Sequence, residues 1–182
     1  MSRFTEQSIY LKSAMCLLIM GFVTHIVSFA SPYWLKDGEG GNIGLWLNCV
    51  ETSCESMTSP PDWLRSSQVL EVIGVVTGLT SLIVLLVTAF THSYKQQQSK
   101  ARHIAMIVLS FLTAVFLQIT IAVVIKSNFT AGGASLSWAL SVNILAVIFY
   151  GATGIVLIID ALHMIFYGDA VKPSTDQLQA IG

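Results

Sequence analysis

Two cysteines, Cys49 and Cys54, stand five positions apart in a polar stretch, whereas the third, Cys16, lies inside an apolar run. If the polar stretch faces an oxidising space, the first two can pair and Cys16 is left over. A second set of reactive side chains sits inside or beside apolar runs, where ionisable groups are costly and point to function. Glu71 is expected a turn or two inside its run. There it either attracts a cation or, in the plainer reading, reaches back to the interface toward Arg65 or Gln68. Asp160 and His163 are expected to be solvated at headgroup level, and His25, Gln118 and Asn143 to hydrogen-bond between helices. The histidines are scattered, so no metal site is expected. No G-x-S-x-G, H-E-x-x-H or phosphate loop occurs, and the expectation is a protein that is not an enzyme and carries no cofactor.

The elements that hold these residues follow from composition. The chain has 182 residues, 54% hydrophobic and 10% charged, against about 25% charged in ordinary soluble domains. So few charges cannot cover a soluble surface, and a net charge of −1 argues against a nucleic-acid partner. Four apolar runs cover residues 11–30, 69–90, 104–125 and 136–159, each at least 20 residues long. As helices they match a hydrocarbon core of about 30 Å. A soluble four-helix bundle would need a polar face on every helix, and residues 75–90 and 144–159 have almost no charge on any face. The first run exceeds the roughly 7–15 apolar residues of a signal peptide, and Ala30-Ser31-Pro32 is a poor cleavage site, so a retained span is expected.

Residues 1–182 therefore read as a single four-span membrane domain, with loops at about 31–68 and 126–135 and a tail at about 160–182. Arg3, Lys12, Lys95, Lys100, Arg102 and Lys172 fall on one side of the spans, and Lys36, Arg65 and Lys126 on the other. The positive-inside rule places both termini in the cytoplasm. Gly74 and Gly78 share a helix face, as Gly151 and Gly154 can, and packing within the bundle is the expected use of both pairs.

The first loop reads Trp34, then Gly44-Leu45-Trp46, then Cys49 and Cys54. This resembles the W…GLW…C…C signature of claudins, peripheral myelin protein, epithelial membrane proteins, the lens fibre intrinsic membrane protein and calcium-channel gamma subunits. The segment from Asp62 through Trp63, Leu64 and Arg65 to Gln68 looks most like the myelin and epithelial membrane branch. The resemblance implies an all-α transmembrane fold, a left-handed four-helix bundle carrying a small extracellular antiparallel β-sheet from the first loop. Gly44–Val50 is a candidate strand region and Gly38–Gly41 a turn. A loop of this size has too little core to hold its shape alone. A Cys49–Cys54 bridge would contribute about 2 kcal/mol on the chain-entropy estimate, and Trp34 and Trp46 are expected to pack over it or at the membrane interface.

Departures from the claudin pattern are the close spacing of Cys49 and Cys54, and Gln68 where claudins place a basic residue. The tail ends Gln179-Ala180-Ile181-Gly182, which does not suit a PDZ pocket. In claudins the residue after the second cysteine helps to set charge selectivity, and here it is Glu55. The first loop carries Asp37, Glu39, Glu51, Glu55 and Asp62 against Lys36 and Arg65, a formal charge of −3. A pore lined by it would prefer cations; a solvated acidic surface is the simpler reading. Asn128-Phe129-Thr130 is a glycosylation sequon, and Phe129 is a candidate contact to an apposed cell or a membrane anchor. The resemblance implies a structural protein of cell–cell contacts in the plasma membrane. Its expected partners are lipid and like or related tetraspan proteins, in the same membrane and across the contact. A channel's regulatory subunit, bound to a channel or receptor, and a membrane-organising protein are the alternatives.

Overall fold

Ser8 opens the first helix: the Tyr10 N–H donates to its hydroxyl at 3.2 Å, which satisfies one of the unpaired amides of a helix start. Helix α1 (Ile9–Ala30) stops because Pro32 pushes Ser31 into extended backbone, φ −75° and ψ 136°. The structure is a computed structural model that describes residues 8–36, 40–50, 53–91, 96–131 and 135–168. Helix α2 (Asp62–Thr91) begins directly after Pro60-Pro61, seven residues ahead of its apolar run. The amides of Leu64 and Arg65 donate to the Pro61 carbonyl at 2.9 and 3.0 Å, and Asp62 in the first turn suits the positive helix start. Helix α3 (Gln96–Ala131) has 36 residues, about 54 Å at 1.5 Å per residue, and so exceeds a hydrocarbon core of about 30 Å. Helix α4 (Trp138–Gly168) completes the set.

All four helices are long and apolar enough to cross a membrane. Their packing carries the same message. Val23, Val76, Val108, Val115, Ile148 and Ile155 point outward, whereas His25, Glu71, Ser81, Ser110, Thr113 and Asn143 are buried. This is the reverse of a water-soluble bundle, and it fits hydrocarbon outside and polar contacts inside. α1 lies chiefly along α4, α2 along α3 and α3 along α4, while α1 and α2 touch less. Leu18, Leu85, Met106, Leu117, Tyr150 and Leu157 form the core between them.

Among the described residues, five short strands make one antiparallel sheet at one end of the bundle: β1 (Leu35–Lys36), β2 (Asn42–Ile43), β3 (Leu47–Val50), β4 (Ser53–Ser56) and β5 (Ser135–Leu136), in the order β4-β3-β2-β1-β5. The sheet is broader than the first loop alone supplies. β5 comes from the α3–α4 connection and pairs with β1, Leu35 opposite Leu136. Gly44-Leu45-Trp46 is not part of a strand, as the expected strand region implied, but the turn from β2 to β3, closed by the Gly44 N–H on the Leu47 carbonyl at 2.9 Å. Gly40, at φ 89°, takes the left-handed conformation that glycine allows in the expected turn; residues 37–39 of that turn lie outside the described residues.

The second loop is shorter than expected. α3 continues through Lys126–Ala131 because no residue there breaks a helix; the first breakers in the sequence are Gly132 and Gly133. Asn128 and Phe129 therefore stand on the last turns of a helix and not in a loop. The side chain of Phe129 lies outside the described residues.

Candidate functional site

Cys49 on β3 and Cys54 on β4 are direct cross-strand partners and form a disulfide of S–S 2.02 Å. β4 is an edge strand with all four residues exposed, and among the described residues its only strand neighbour is β3. The bridge fastens this edge covalently where burial contributes little. Glu55 is exposed beside Cys54, along an open groove lined also by Asn48, Val50 and Ser56. Glu51, the neighbouring acidic position, lies outside the described residues.

The two signature tryptophans hold the sheet to the bundle. The last carbonyls of a helix have no partner within it, and both indoles serve those of α1. Trp34 Nε1–H donates to the Ser28 carbonyl at 2.9 Å, and Trp46 Nε1–H to the Phe29 carbonyl at 3.1 Å. The Trp46 ring also meets Phe29 edge-on, centroids 5.2 Å apart. The rings are expected over the bridge or at the membrane interface; the contacts found for them are with the end of α1. Trp34 is 2% exposed and Trp46 37%, so the first is a core residue and the second a rim residue.

Gly44 and Leu45 have equally specific places. A Cβ on Gly44 would lie 2.5 Å from Pro32 Cα and 2.8 Å from the Ser31 carbonyl oxygen, so no larger residue fits against that backbone. Leu45 is fully buried with Trp34, Leu35, Leu64, Val124 and Leu140. Its carbonyl accepts from Gln68 Nε2 at 2.6 Å. Gln68 is thus the tie between α2 and the turn, a role with no signal in the sequence beyond its position. The start of α4 is tied in too: the Ser137 and Ala139 amides donate to the Trp34 and Tyr33 carbonyls at 3.1 and 3.3 Å.

One helical turn deeper than Gln68, Glu71 lies between three helices. Its Oε2 is 2.9 Å from His25 Nε2 on α1, and its Oε1 accepts from Asn143 Nδ2 on α4 at 2.8 Å. All three side chains are fully buried. The expectation that Glu71 reaches toward Arg65 or Gln68 is therefore corrected: Arg65 is exposed and Gln68 is committed to Leu45. A carboxylate placed among apolar helices needs partners for both oxygens, and α1 and α4 each supply one. One turn above, Ser28 Oγ donates to the Ala139 carbonyl at 2.8 Å, so α1 and α4 are joined on successive turns.

The glycines of α2 make room for this centre. A Cβ on Gly74 would be 3.1 Å from His25 Cε1, and one on Gly78 would be 2.5 Å from the Tyr150 hydroxyl oxygen. Both glycines thus face the bundle interior. Gly154 does so as well, since a Cβ there would lie 2.7 Å from Phe111, whereas Gly151 has open space before it.

The remaining polar positions divide. His25 and Asn143 make the expected interhelical bonds; Gln118 does not, and is exposed on α3. Asp160 is not solvated as expected but 3% exposed, with Oδ2 at 3.8 Å from His103 Nε2. His163 is exposed beside Tyr10, ring centroids 5.9 Å apart. Among the described residues no three His, Cys, Asp or Glu side chains group as metal ligands.

No protein-family model matches this chain, and no curated protein matches it. The likeness to the claudin superfamily rests on the signature residues themselves.

Proposed function

We propose that this chain is a claudin-like tetraspan structural protein of cell–cell contacts in the plasma membrane, with both termini cytoplasmic, supporting adhesion or a paracellular barrier. The observation that carries the reading is β4, a fully exposed edge strand fastened by the Cys49–Cys54 bridge and displayed at one end of the bundle. An exposed edge offers unpaired backbone donors and acceptors to another chain. The clamp from both indoles to α1 presents that edge in a fixed orientation, which lowers the ordering cost of binding. The partners on this reading are like or related tetraspan proteins, beside it and on the apposed cell. Where β4 borders a space between cells, the exposed carboxylate of Glu55 favours cations over anions.

The test uses mixed cultures of adhesion-poor cells expressing the tagged protein. Density is compared at borders between two expressing cells, at borders with an empty cell and at free edges. Enrichment only where both cells express it, lost when Cys49 and Cys54 are changed to Ser, is the expected result. Uniform density at all three defeats the contact reading and leaves a channel-regulating or membrane-organising role.

A further inference from the structure

The hydroxyls of the spans find partners. Exposed Thr80 donates from Oγ1 to the Val76 carbonyl of its own helix at 2.7 Å, half-buried Thr24 to Met20 at 2.9 Å, and half-buried Thr77 to Ile73 at 3.0 Å while accepting from Thr113 Oγ1 on α3 at 2.9 Å. Asn143, a carboxamide within a span, is buried and bonded to Glu71. Gln118 follows neither pattern. It is exposed on α3 and makes no hydrogen bond with any described residue. It stands seven residues before Ile125, the last residue of the apolar run, so it lies about 10 Å along the helix inside the hydrocarbon core. An unmet carboxamide at that depth is costly.

Its surroundings form a seam. Ile104, Val108, Val115, Gln118 and Ala122 are exposed, and Phe111, whose ring edge lies against Gly154 of α4, is partly so; the six recur at alternating steps of four and three. That is the heptad spacing by which two helices pack side by side, and a single polar residue in such a seam fixes register.

We propose that this seam is the contact between two copies of the chain in one membrane, with the two Gln118 carboxamides exchanging reciprocal hydrogen bonds. Three features favour a second copy over another protein. A carboxamide is both donor and acceptor, so it complements itself. A twofold axis along the membrane normal brings each α3 residue to the same residue of the other copy at the same depth. Ala122, one turn on, is small enough to let the backbones approach. The contact rests on the proposed association of like proteins within a membrane, and needs no apposed cell.

The experiment takes the full chain with Cys16→Ser, which removes the free exposed thiol, into phosphatidylcholine vesicles and counts photobleaching steps per particle across a range of protein-to-lipid ratios. Dimers are expected to accumulate with surface density. Gln118→Leu should shift the half-dimer point to about three- to thirty-fold higher density, the range that interhelical hydrogen bonds in membranes support, and Gln118→Asn should shift it less. In the same background, Ala122→Cys should cross-link between copies under mild oxidation, and Val76→Cys, exposed on α2, should not. Monomers at every density, an unshifted Gln118→Leu, or equal cross-linking at both positions would overturn the proposal. The vesicles contain no cell contact, so loss of border enrichment in culture and loss of dimers here report separate failures.

Discussion

Glu71 and His25, 46 positions apart, meet at 2.9 Å with neither side chain exposed. The pair joins the second helix to the first, and Asn143 extends the joint to the fourth at 2.8 Å. Each partner holds one oxygen of the same carboxylate, so the three residues act as one unit.

Removing one member therefore leaves a buried group uncompensated. His25→Ala is expected to destabilise the bundle by about 3–5 kcal/mol, read as a lowered thermal unfolding midpoint in detergent. Asn143→Ala should cost less, about 1–2 kcal/mol, as interhelical hydrogen bonds in membranes do. Equal effects from both would mean that the carboxylate does not distinguish its partners.

The indole clamp predicts an ordered pair. Trp34→Phe keeps a ring but leaves the buried Ser28 carbonyl with the Ser31 N–H as its remaining donor, a loss of about 0.5–1.5 kcal/mol. Trp46→Phe, at the rim where water replaces the donor, should cost under about 1 kcal/mol. Limited proteolysis of the loop in reconstituted vesicles reads the difference. Greater cleavage in Trp46→Phe would contradict the assignment of core and rim.

Gly44→Ala is expected to disrupt the turn, because the new Cβ would meet the backbone of Ser31 and Pro32 and not a side chain that can swing away. The expected cost is about 1–3 kcal/mol. Gly151→Ala, with nothing within 4 Å of its Cβ, should behave as wild type. Maleimide labelling of Cys49 and Cys54 under mild reduction checks both: the thiols should become accessible earlier only in Gly44→Ala.

Changing Cys49 and Cys54 together to Ser should release β4 with a loss of about 2 kcal/mol in local stability. Protease cuts should then appear between Val50 and Met57 while helix content by circular dichroism stays unchanged. A fall in helix content would mean that the bridge stabilises the bundle and not only its sheet.

Much of this fold is legible from composition. Runs of about 20 apolar residues must be helical in hydrocarbon, because every backbone group needs an internal partner there. The helix ends are less legible, since α2 and α3 run beyond their apolar stretches into Asp62–Gln68 and Lys126–Ala131, where capping and the absence of breakers decide. β5 is a two-residue strand paired with a segment about a hundred positions away, and no local pattern announces it. The Glu71 centre is illegible for the same reason: 25, 71 and 143 show no mutual spacing until three helices bring them together. The signature residues suggested a bridge and a sheet, but the service of both indoles to the end of α1 depends on where Ser28 and Phe29 point their carbonyls.

The strand order gives the sheet a mechanical character. β4 is attached through β3 and β2 to β1, and β1 is held on its other side by β5, which leads directly into α4. A tug applied at the β4 edge does not stop at the loop between the first two helices. It runs across the sheet in series, reaching α1 through the indoles, α2 through Gln68 and α4 through β5. The load is thus shared among at least three membrane anchors, and tearing the edge away must break rows of backbone bonds before it can pull any one helix out of line.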